Sequence, residues 1–468
     1  MADIPRVLIA GTNSGCGKTT ITCAILQAFI NRGLKTGSFK CGPDYIDPMF
    51  HRRIIGAGSA NLDLFFFRPA VLKCIFADRA AGNDINIIEG VMGFYDGIIS
   101  QDITEWDNAG ASTFEAAQIT QSPVILTVNA AGSLQSVPAL IHGFYDWKKN
   151  SGICGVILNK CSKGSYDYLA KVIYYAFGGK IKPLGYMPVM KESSLESRHL
   201  GLVTAAEVDS LKEKMNALAE QAEESIDLEA ILKLAAQAPA LECTDVFASR
   251  CSSAKSCEDV RIAVAKDKAF CFYYDDSLAL LERMGARLVE FSPLDDVSLP
   301  ENTDGIYIGG GYPELYIQQL SRNVSMRKSI RNALEDGMPC IAECGGFMYI
   351  SEKIADAEMV GYLPGHFYDT GKLRRFGYVT LKANKDNMLC KKGDQIPAHE
   401  FHYWDCEYTG QDFEAIKPSG RSWSCVFADE HLYAGFPHFN FCANPEFAEN
   451  YINACRKYKA GTVSGGRN

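Results

Sequence analysis

Short apolar runs alternate with helical patterns along most of the chain. The first run, residues 6–10, leads into a Gly-rich turn and then into a helical stretch over residues 18–31. Further apolar runs of strand length lie at residues 36–40, 85–88, 124–128 and 154–158. Helical patterns over 112–120 and 165–177 separate the later runs. Because buried strands that alternate with helices are typical of parallel sheets, this half predicts a doubly wound α/β domain.

A second α/β pattern follows a break in the first. Residues 205–240 are rich in Ala, Glu and Lys and predict helix, whereas residues 241–258 are Ser-rich and lack periodicity. Beyond this break, the segments 261–265, 276–285, 287–291 and 305–308 predict strand, helix, strand and strand. We therefore predict a domain over 1–240, a linker over 241–258 and a second domain over 259–460.

Composition narrows the classes of function. The 468 residues contain 47 Lys and Arg against 56 Asp and Glu, a net charge of −9. An acidic chain without a basic run is poorly suited to nucleic acid, and no segment is apolar for long enough to cross a membrane. The 17 Cys include no CxxC pair, and no basic leader precedes the first strand. We expect reduced thiols and a cytoplasmic protein with small-molecule partners; a homodimer is compatible with the sequence.

The turn after the first strand has the pattern of a phosphate-binding loop. Gly15 and Gly17 allow backbone N–H groups to surround phosphate oxygens, Lys18 supplies a positive charge, and the Thr19 hydroxyl can ligate Mg²⁺. The pattern departs from the strict form because Thr12 follows a glycine that comes one residue early. The predicted nucleotide-binding residues are Thr12, Asn13, Ser14, Gly15, Cys16, Gly17, Lys18, Thr19 and Thr20. The predicted ligands are ATP and Mg²⁺.

Polar residues also follow the neighbouring strands. Glu89 comes directly after the run 85–88 and is a candidate Mg²⁺ ligand. Lys40, Asp44 and Asp47 follow the second strand: the carboxylates could hold Mg²⁺ or substrate, and the lysine could stabilise a transferring phosphoryl group. Three further candidates are Asp63 and Asp96, each of which could equally be a turn former, and Asn159, which lies where an adenine could be recognised.

The second domain contains a cysteine in a nucleophile context. An apolar strand runs into Cys344 and is followed at once by two glycines, the strand–turn–helix pattern of a nucleophile elbow. The helix N-terminus lowers the pKa of a thiol there. His438, within the aromatic run 433–441, is the candidate base. Backbone N–H groups of Gly310, Gly311 and Gly345 are candidates for an oxyanion hole. We expect His399 and His402 to be structural or to face substrate.

Together these segments resemble the glutamine-hydrolysing cobyrinic acid a,c-diamide synthase family of corrinoid biosynthesis. The segments that carry the resemblance are KCGPDYIDP (40–48), EGVMGFYDG (89–97), RHLGL (198–202), AFCFYYDDSLALLERMGA (269–286), FSPL (291–294), GGGYPE (309–314), AECGGFMY (342–349) and HEFHY (399–403). The first half also resembles dethiobiotin synthetase, which is P-loop NTPase-like, and the second half resembles a class I glutamine amidotransferase.

The resemblance implies that Cys344 and His438 release ammonia from glutamine, and that ATP activates two acetate carboxylates of cobyrinic acid as acyl phosphates. It implies that Thr19, Asp47 and Glu89 hold Mg²⁺ and that Lys40 stabilises the phosphoryl group. The implied substrate contacts are Asp44, Tyr45, Asp63, Asp96, Arg198 and His199.

One position departs from the class I pattern. Class I domains carry Glu two residues after the catalytic histidine, and the cobyrinate family usually has His there, whereas this chain has Asn440. Asn440 could orient His438 weakly, or an equivalent residue could be missing.

Three other functions fit parts of the sequence. A nickel-sirohydrochlorin a,c-diamide synthase of coenzyme F430 biosynthesis would share the same motifs. A P-loop partitioning or regulatory ATPase would carry a signature Lys where this chain has Asn13 and would lack the cysteine elbow. Cobyric acid synthase is a larger relative, and the short chain and the segment 40–48 favour the diamide enzyme.

Overall fold

The computed structural model describes residues 3–98, 110–190, 205–251 and 260–464. The chain forms two compact units, Met1–Asp245 and Val246–Asn468. The division falls within the segment 241–258 that the sequence predicts as a linker. Residues 248–251 of this segment form one turn of helix, in which the backbone N–H groups of Arg250 and Cys251 donate to the Phe247 oxygen.

The first unit is built on a seven-stranded sheet in which every described pair is parallel. Its strands are β1 (Arg6–Gly11), β2 (Thr36–Cys41), β3 (Gly58–Leu62), β4 (Ile85–Glu89), β5 (Val124–Asn129), β6 (Ile153–Asn159) and β7 (Lys182–Met187), in the order β3-β2-β4-β1-β5-β6-β7. Its helices are α1 (Lys18–Asn31), α2 (Ile46–Phe50), α3 (Pro69–Ala80), α4 (Thr113–Thr120), α5 (Ser136–Asp146), α6 (Lys163–Ala176), α7 (Ala205–Ser225) and α8 (Leu228–Ala236), with a π-helical turn at His51–Ile55.

The strand order places the chemistry of the first unit at one edge. β1 is buried along its whole length, and β4 and β5 lie on either side of it. The chain leaves β1 toward β2 on one side and returns to the other side only at β5, so the order reverses beside β1. Ligands of open α/β sheets bind at the carboxyl ends of the strands where this reversal occurs. The ends of β1, β2 and β4 are therefore the expected binding edge.

The helical segment 205–240 differs from its prediction. The structure divides it into α7 and α8, with Ile226 and Asp227 between them. Ile226 forms a β-bridge with Gly185, and the side chain of Asp227 accepts a hydrogen bond from the backbone N–H of Ala230 at 2.9 Å. An aspartate that caps a new helix and a bridge to β7 both interrupt the helical hydrogen-bonding pattern.

The second unit contains a six-stranded sheet and a second, more exposed sheet. The first sheet has the order β10-β8-β11-β13-β21-β20 and is parallel except for its β20–β21 pair. Its strands are β8 (Val260–Ala265), β10 (Ala286–Phe291), β11 (Gly305–Ile308), β13 (Cys340–Glu343), β20 (Phe427–Ala428) and β21 (Leu432–Gly435). The helices are α9 (Ala248–Cys251), α10 (Asp275–Arg283), α11 (Ile317–Arg322), α12 (Val324–Glu335), α13 (Gly345–Ile350) and α14 (Pro445–Ser464).

A long antiparallel hairpin forms the centre of the second sheet, which the sequence does not predict. Its strands are β14 (Ser351–Ile354), β15 (Ala357–Glu358), β16 (Leu363–Ala383), β17 (Gln395–Asp405), β18 (Phe413–Ile416), β19 (Ser422–Cys425) and β22 (His438–Phe439), and β9 (Phe270–Phe272) pairs separately with β12 (Gly310–Gly311). β22 pairs with β17 and brings His438 opposite His399. This sheet therefore holds one of the two predicted catalytic residues.

Among the residues that the structure describes, no helix combines the length and the apolar character needed to span a membrane.

Arg6 connects the start of β1 to three other segments of the first unit. Its fully buried guanidinium donates to the backbone oxygens of Ile4 at 2.8 Å, Thr120 and Pro239 at 2.7 Å each, and Gln121 at 3.3 Å. Burial lowers the pKa of Arg6 to about 10. Its donors replace the water that these carbonyls lose on folding.

Replacing Arg6 with Met should lower the unfolding free energy of the first unit by about 3–5 kcal/mol, because buried carbonyls lose their donors. Hydrogen exchange of the β1 and β4 amides measures the change. Arg32→Met is the matched control, since Arg32 makes half-exposed ion pairs with Glu223 and Glu229 and should cost about 1 kcal/mol or less. Equal effects of the two substitutions would contradict this account.

Candidate active sites

The predicted phosphate-binding loop lies between β1 and α1 at the binding edge of the first sheet. Gly17 has a φ of +103°, and a Cβ built there would lie 1.8 Å from the Asn159 side-chain nitrogen. A side chain at position 17 is therefore excluded both by backbone conformation and by space. The loop tip, Asn13 to Gly15, is exposed, whereas Lys18 is buried. Thr19 and Thr20 begin α1, so the loop opens onto a helix N-terminus.

Asn159 supports the loop from β6. Its Nδ2 donates to the backbone oxygen of Cys16 at 2.8 Å, and its Oδ1 accepts from the backbone N–H of Lys160 at 2.9 Å. The sequence places Asn159 where a base could be recognised, but the structure directs its amide at the underside of the loop. Both polar ends of the Asn159 amide already form hydrogen bonds, so this side chain supports the backbone of the phosphate-binding loop.

Lys18 is folded over the loop. Its Nζ donates to the backbone oxygens of Asn13, at 3.3 Å, and Met92, which follows β4. Burial lowers the pKa of Lys18, and nearby negative groups, among them Glu89, oppose that effect. The ammonium group is thus held at the loop by neutral carbonyls, which a phosphate oxygen can replace as acceptors.

Four predicted residues meet where β2 and β4 end beside α1. The Thr19 hydroxyl donates to Glu89 Oε1 at 2.6 Å, and Lys40 Nζ donates to the same oxygen at 2.7 Å. Lys40 also pairs with Asp47 Oδ2 at 2.6 Å. Burial alone would lower the pKa of Lys40, but Glu89 and Asp47 outweigh it and raise the pKa above its ordinary value. Lys40 therefore remains charged and bridges the two carboxylates.

The residues around Glu89 fit a magnesium ion. Glu89 is fully buried, and its Oε2 has no hydrogen-bond partner among the described residues. A buried carboxylate oxygen beside a threonine hydroxyl is the kind of donor that a hard cation prefers. Among the residues that the structure describes, no group of three or more His, Cys, Asp and Glu side chains is arranged to hold a metal ion by itself.

Asp47 differs from its predicted position in the metal shell. Its Oδ2 is engaged by the Lys40 ammonium group, which lies between Asp47 and Glu89. Burial raises the pKa of Asp47, but Lys40 more than offsets it and holds the pKa below its usual range. In this arrangement the contact that Asp47 makes is an ion pair with Lys40.

His51 belongs to this cluster but is missed by sequence reasoning. Its Nδ1 lies 2.7 Å from Ser38 Oγ, and its Nε2 lies 3.6 Å from Cys23 Sγ and 4.0 Å from Glu89 Oε2. Burial lowers the pKa of His51. A neutral His51 packs beneath Glu89 without competing for a cation. Its neighbours in the sequence, MFHRRII, form no recognisable motif.

The predicted substrate residues lie in different surroundings. Asp44 is half-buried beside α2, with Tyr45 next to it at the start of that helix. Asp63 accepts hydrogen bonds from the backbone N–H groups of Phe65 and Phe66 at 2.8 and 3.2 Å, and Asp96 accepts one from Gly93 at 2.9 Å. The last two are turn formers in this state. Arg198 and His199 lie outside the described residues.

The predicted cysteine elbow is formed in the second unit. Cys344 lies between β13 and α13 with φ 49° and ψ −102°, a strained conformation for a residue with a side chain. Its backbone N–H donates to the Gly435 oxygen at 2.7 Å, and its own oxygen accepts from Met348 at 3.0 Å. The first bond ties the elbow to β21 and the second starts the helix. The side chain is thereby held at the helix N-terminus.

His438 lies against the elbow. Cys344 and His438 form a side-chain hydrogen bond, and both are nearly fully buried. Burial alone would lower the pKa of His438, but its contacts with Cys344 and Glu343 raise that pKa to about 10. The contact places the imidazole beside the thiol, the arrangement in which a histidine can take the proton of a catalytic cysteine.

The three predicted oxyanion glycines surround Cys344. A Cβ built on Gly310 would lie 2.5 Å from His438 Cε1 and 3.5 Å from Cys344 Cβ. A Cβ built on Gly345 would lie 3.2 Å from the Gly311 nitrogen. The backbone approaches the pair so closely that only glycine fits at position 310. Nearby, the Gly346 N–H is already bonded to the Gly309 oxygen at 3.1 Å.

The structure also shows what lies at the far side of the His438 ring. Nδ1 is 3.4 Å from Oε2 of Glu343, the residue directly before the nucleophile. Asn440 instead accepts hydrogen bonds from Ser277 Oγ at 3.1 Å and from the Cys442 N–H at 2.9 Å. Asn440 therefore fixes the chain after β22 and does not orient His438. Sequence reasoning missed Glu343, although a carboxylate that ends an apolar strand was a signal that a partner is required.

The HxxH pair has a structural arrangement. His402 Nε2 lies 2.9 Å from Glu400 Oε1, and its ring stacks on Phe436 with centroids 3.7 Å apart. His399 lies on the other face of β17, opposite His438, where burial and His438 lower its pKa to about 3. Because the two histidines face opposite sides of the strand, they do not form a metal site.

The two units define a class of protein: a P-loop NTPase-like nucleotide-binding domain combined with an α/β glutamine amidotransferase domain. A family of CobQ/CobB/MinD/ParA nucleotide-binding domains matches residues 7–203, and a family of CobB/CobQ-like glutamine amidotransferase domains matches residues 261–444. Both matches confirm the predicted fold class.

Relatives over nearly the whole chain identify the family. The chain is 41% identical over 460 residues to the cobyrinate a,c-diamide synthase of Caldanaerobacter subterraneus subsp. tengcongensis, which covers 96% of this chain and 98% of the relative. It is 38% identical over 459 residues to the protein of the same name from Clostridium acetobutylicum, with 95% and 99% covered. The chain belongs to the cobyrinic acid a,c-diamide synthase family, and it is an amidating synthase that acts with glutamine and uses ATP.

Replacing Asn159 with Ala should weaken ATP binding about tenfold, because the Cys16 carbonyl loses its donor and the loop loses its support. Titration calorimetry with ATP measures the change. Asn31→Ala, at the far end of α1, is the control and should bind ATP as the wild type does. An Asn159→Ala protein with unchanged ATP affinity would contradict the supporting position of Asn159.

The Asp44 carboxyl predicts a pH dependence of stability. Burial and Asp47 raise the pKa of Asp44 to about 7, above its ordinary value of 3.8. The unfolded chain releases this proton more readily, so Asp44 destabilises the fold increasingly as the pH rises from about 4 to 7. Asp44→Asn should therefore gain stability relative to the wild type between pH 5 and pH 8, as measured by thermal unfolding. Asp78→Asn, at an exposed position of α3, is the control. A difference between Asp44→Asn and wild type that is the same at both pH values would contradict this interpretation.

Proposed function

We propose that the chain catalyses the amidation of the a and c acetate carboxylates of cobyrinic acid, with ATP as energy source and glutamine as ammonia donor. The observation that carries the proposal is the presence of a P-loop and a buried Cys–His pair in one chain that is 36–41% identical to named cobyrinate a,c-diamide synthases over nearly its full length. The names of these relatives indicate the substrate, and the residues of the two sites account for the chemistry.

Ammonia is released in the second unit. The Cys344 thiol gives its proton to His438, and the sulfur attacks the side-chain amide carbon of glutamine. Backbone N–H groups of Gly310, Gly311 and Gly345 are the proposed donors to the oxyanion that develops. His438 then gives the proton to the departing nitrogen, which leaves as ammonia. Water hydrolyses the remaining thioester and restores the thiol, so one glutamine and one water give glutamate and ammonia.

The carboxylate is activated in the first unit. A carboxylate is a poor electrophile toward ammonia, so its oxygen first takes the γ-phosphoryl group of ATP and forms an acyl phosphate. The loop and Lys18 bind the phosphates. Lys40, which remains charged between Asp47 and Glu89, is placed to stabilise the phosphoryl group during transfer. Ammonia then attacks the acyl carbon, and phosphate leaves.

Thr19 and Glu89 are the proposed Mg²⁺ ligands, since they supply a hydroxyl oxygen and an unpartnered carboxylate oxygen. Magnesium neutralises charge on the β- and γ-phosphates when it is bound. Asp47 contributes through Lys40.

Asp44, with Tyr45 beside it, is the proposed contact for the corrinoid. Because the pKa of Asp44 is raised to about 7, a fraction of this carboxyl is protonated at neutral pH and can donate a hydrogen bond to a substrate carboxylate. Arg198 and His199 are proposed to attract the substrate's other carboxylates. Asp63 and Asp96 shape the turns that surround the site.

The test is product analysis by mass spectrometry with cobyrinic acid, ATP and glutamine. Wild type should convert two carboxylates to amides, and Cys344→Ala should lose at least about 10³-fold of the glutamine-dependent rate while keeping the rate with added ammonia. Lys18→Met should lose synthesis with either nitrogen source but keep glutamine binding at Cys344. Loss of both activities in Cys344→Ala would contradict the scheme with two sites. Amidation of nickel sirohydrochlorin in preference to cobyrinic acid would overturn the proposed substrate.

A further inference from the structure

Glu343 places a carboxylate in a buried environment, where a charge requires compensating partners. It ends β13, whose other residues are Cys340, Ile341 and Ala342, and only 1% of its surface is exposed. Burying an ionised carboxylate among apolar residues is costly unless donors or a positive charge compensate it. The groups that contact Glu343 therefore indicate its function.

Three donor groups converge on Glu343. Its Oε2 lies 3.4 Å from His438 Nδ1 and accepts from the Tyr307 hydroxyl at 3.2 Å. Its Oε1 accepts from the backbone N–H of Phe439 at 3.3 Å. Two of these contacts belong to His438 or to the residue next to it on β22. Glu343 thus holds both the ring and the strand that carries it.

The opposite side of the ring faces the nucleophile. His438 forms a side-chain hydrogen bond with Cys344, and a Cβ on Gly310 would lie 3.0 Å from His438 Nε2 and 3.5 Å from Cys344 Cβ. Because Nδ1 lies beside Glu343, Nε2 is the ring nitrogen on the Cys344 side. The order carboxylate, imidazole and nucleophile is the order of a catalytic triad. Asn440 does not compete for this position, because its oxygen is occupied by Ser277 and Cys442.

We propose that Glu343 is the positioning residue of His438 and completes a Glu343–His438–Cys344 triad in which the carboxylate directly precedes the nucleophile in sequence. The inference rests on the proposed glutamine hydrolysis. Glu343 keeps a proton on Nδ1, so that Nε2 is free to accept the Cys344 proton. The imidazolium that forms is stabilised by the carboxylate beside it. The proton then passes from Nε2 to the departing amide nitrogen, which leaves as ammonia.

Glu343→Gln tests the charge, because the amide has the same shape but cannot stabilise the imidazolium. It should lower kcat/KM for glutamine hydrolysis by about 10²-fold or more. Glu343→Asp, which retains the charge on a shorter side chain, should recover at least about tenfold of that loss. Glutamate release is measured with glutamine alone, so no corrinoid is needed.

Two readouts separate positioning from a general structural contribution. The groups that face His438 are Cys344, Glu343 and, across β22, His399. Loss of the Glu343 charge should lower the pKa of His438 and so move the limb of the kcat/KM profile that His438 controls to lower pH. Alkylation of Cys344 by iodoacetamide, followed on its own peptide by mass spectrometry, should slow by about tenfold in Glu343→Gln.

Glu400→Gln is the matched control, because Glu400 is also a buried carboxylate paired with a histidine, His402, in the same unit. It should leave glutamine hydrolysis within about twofold of wild type. Equal hydrolysis by wild type and Glu343→Gln, an unchanged pH profile of kcat/KM, or an equal loss in Glu400→Gln would overturn the triad. Failure of wild type itself to hydrolyse glutamine would instead contradict the proposed function.

Discussion

The desolvation of charge at the ends of parallel strands is the constraint on which both sites depend. Lys40, at the end of β2, is buried and stays charged because Glu89 and Asp47 lie 2.7 and 2.6 Å away. In the second unit, the carboxylate of Glu343 ends β13 and meets His438. Neither charge could be buried alone, since the loss of hydration would exceed any gain from packing. Each therefore occurs where a partner holds it in one geometry, which is what phosphoryl transfer and proton transfer require.

The same constraint applies in both units, although their chemistry differs. In the first, a cluster of opposite charges surrounds the place where phosphates and Mg²⁺ are expected, and one buried oxygen of Glu89 lacks a hydrogen-bond partner among the described residues. In the second, the backbone itself is strained at Cys344, and the bond from its N–H to Gly435 holds that strain. Preorganised charge lowers the cost of reorganisation during reaction. In the proposed reaction, ammonia released at one site is consumed at the other.

The sequence predicts those features that depend on local pattern. The alternation of apolar runs and helices indicates the parallel sheets, and the loop before Lys18 and the glycines after Cys344 are recognisable because their function requires neighbours in sequence. Positions that depend on strand register are not predictable in this way. Glu343 meets His438 only because β21 pairs with β13 and the chain then turns into β22. The direction of the Asn159 amide and the place of His51 beneath Glu89 depend on packing between distant segments.

We propose that nitrogen released at Cys344 becomes the amide nitrogen of an ATP-activated corrinoid carboxylate. The most direct measurement supplies cobyrinic acid, ATP and glutamine labelled with heavy nitrogen in its side-chain amide, and determines by mass spectrometry the label in the product. We expect a diamide in which both new amide nitrogens carry the label and whose formation requires ATP. A product that carries no label, or a labelled product that forms without ATP, would contradict it.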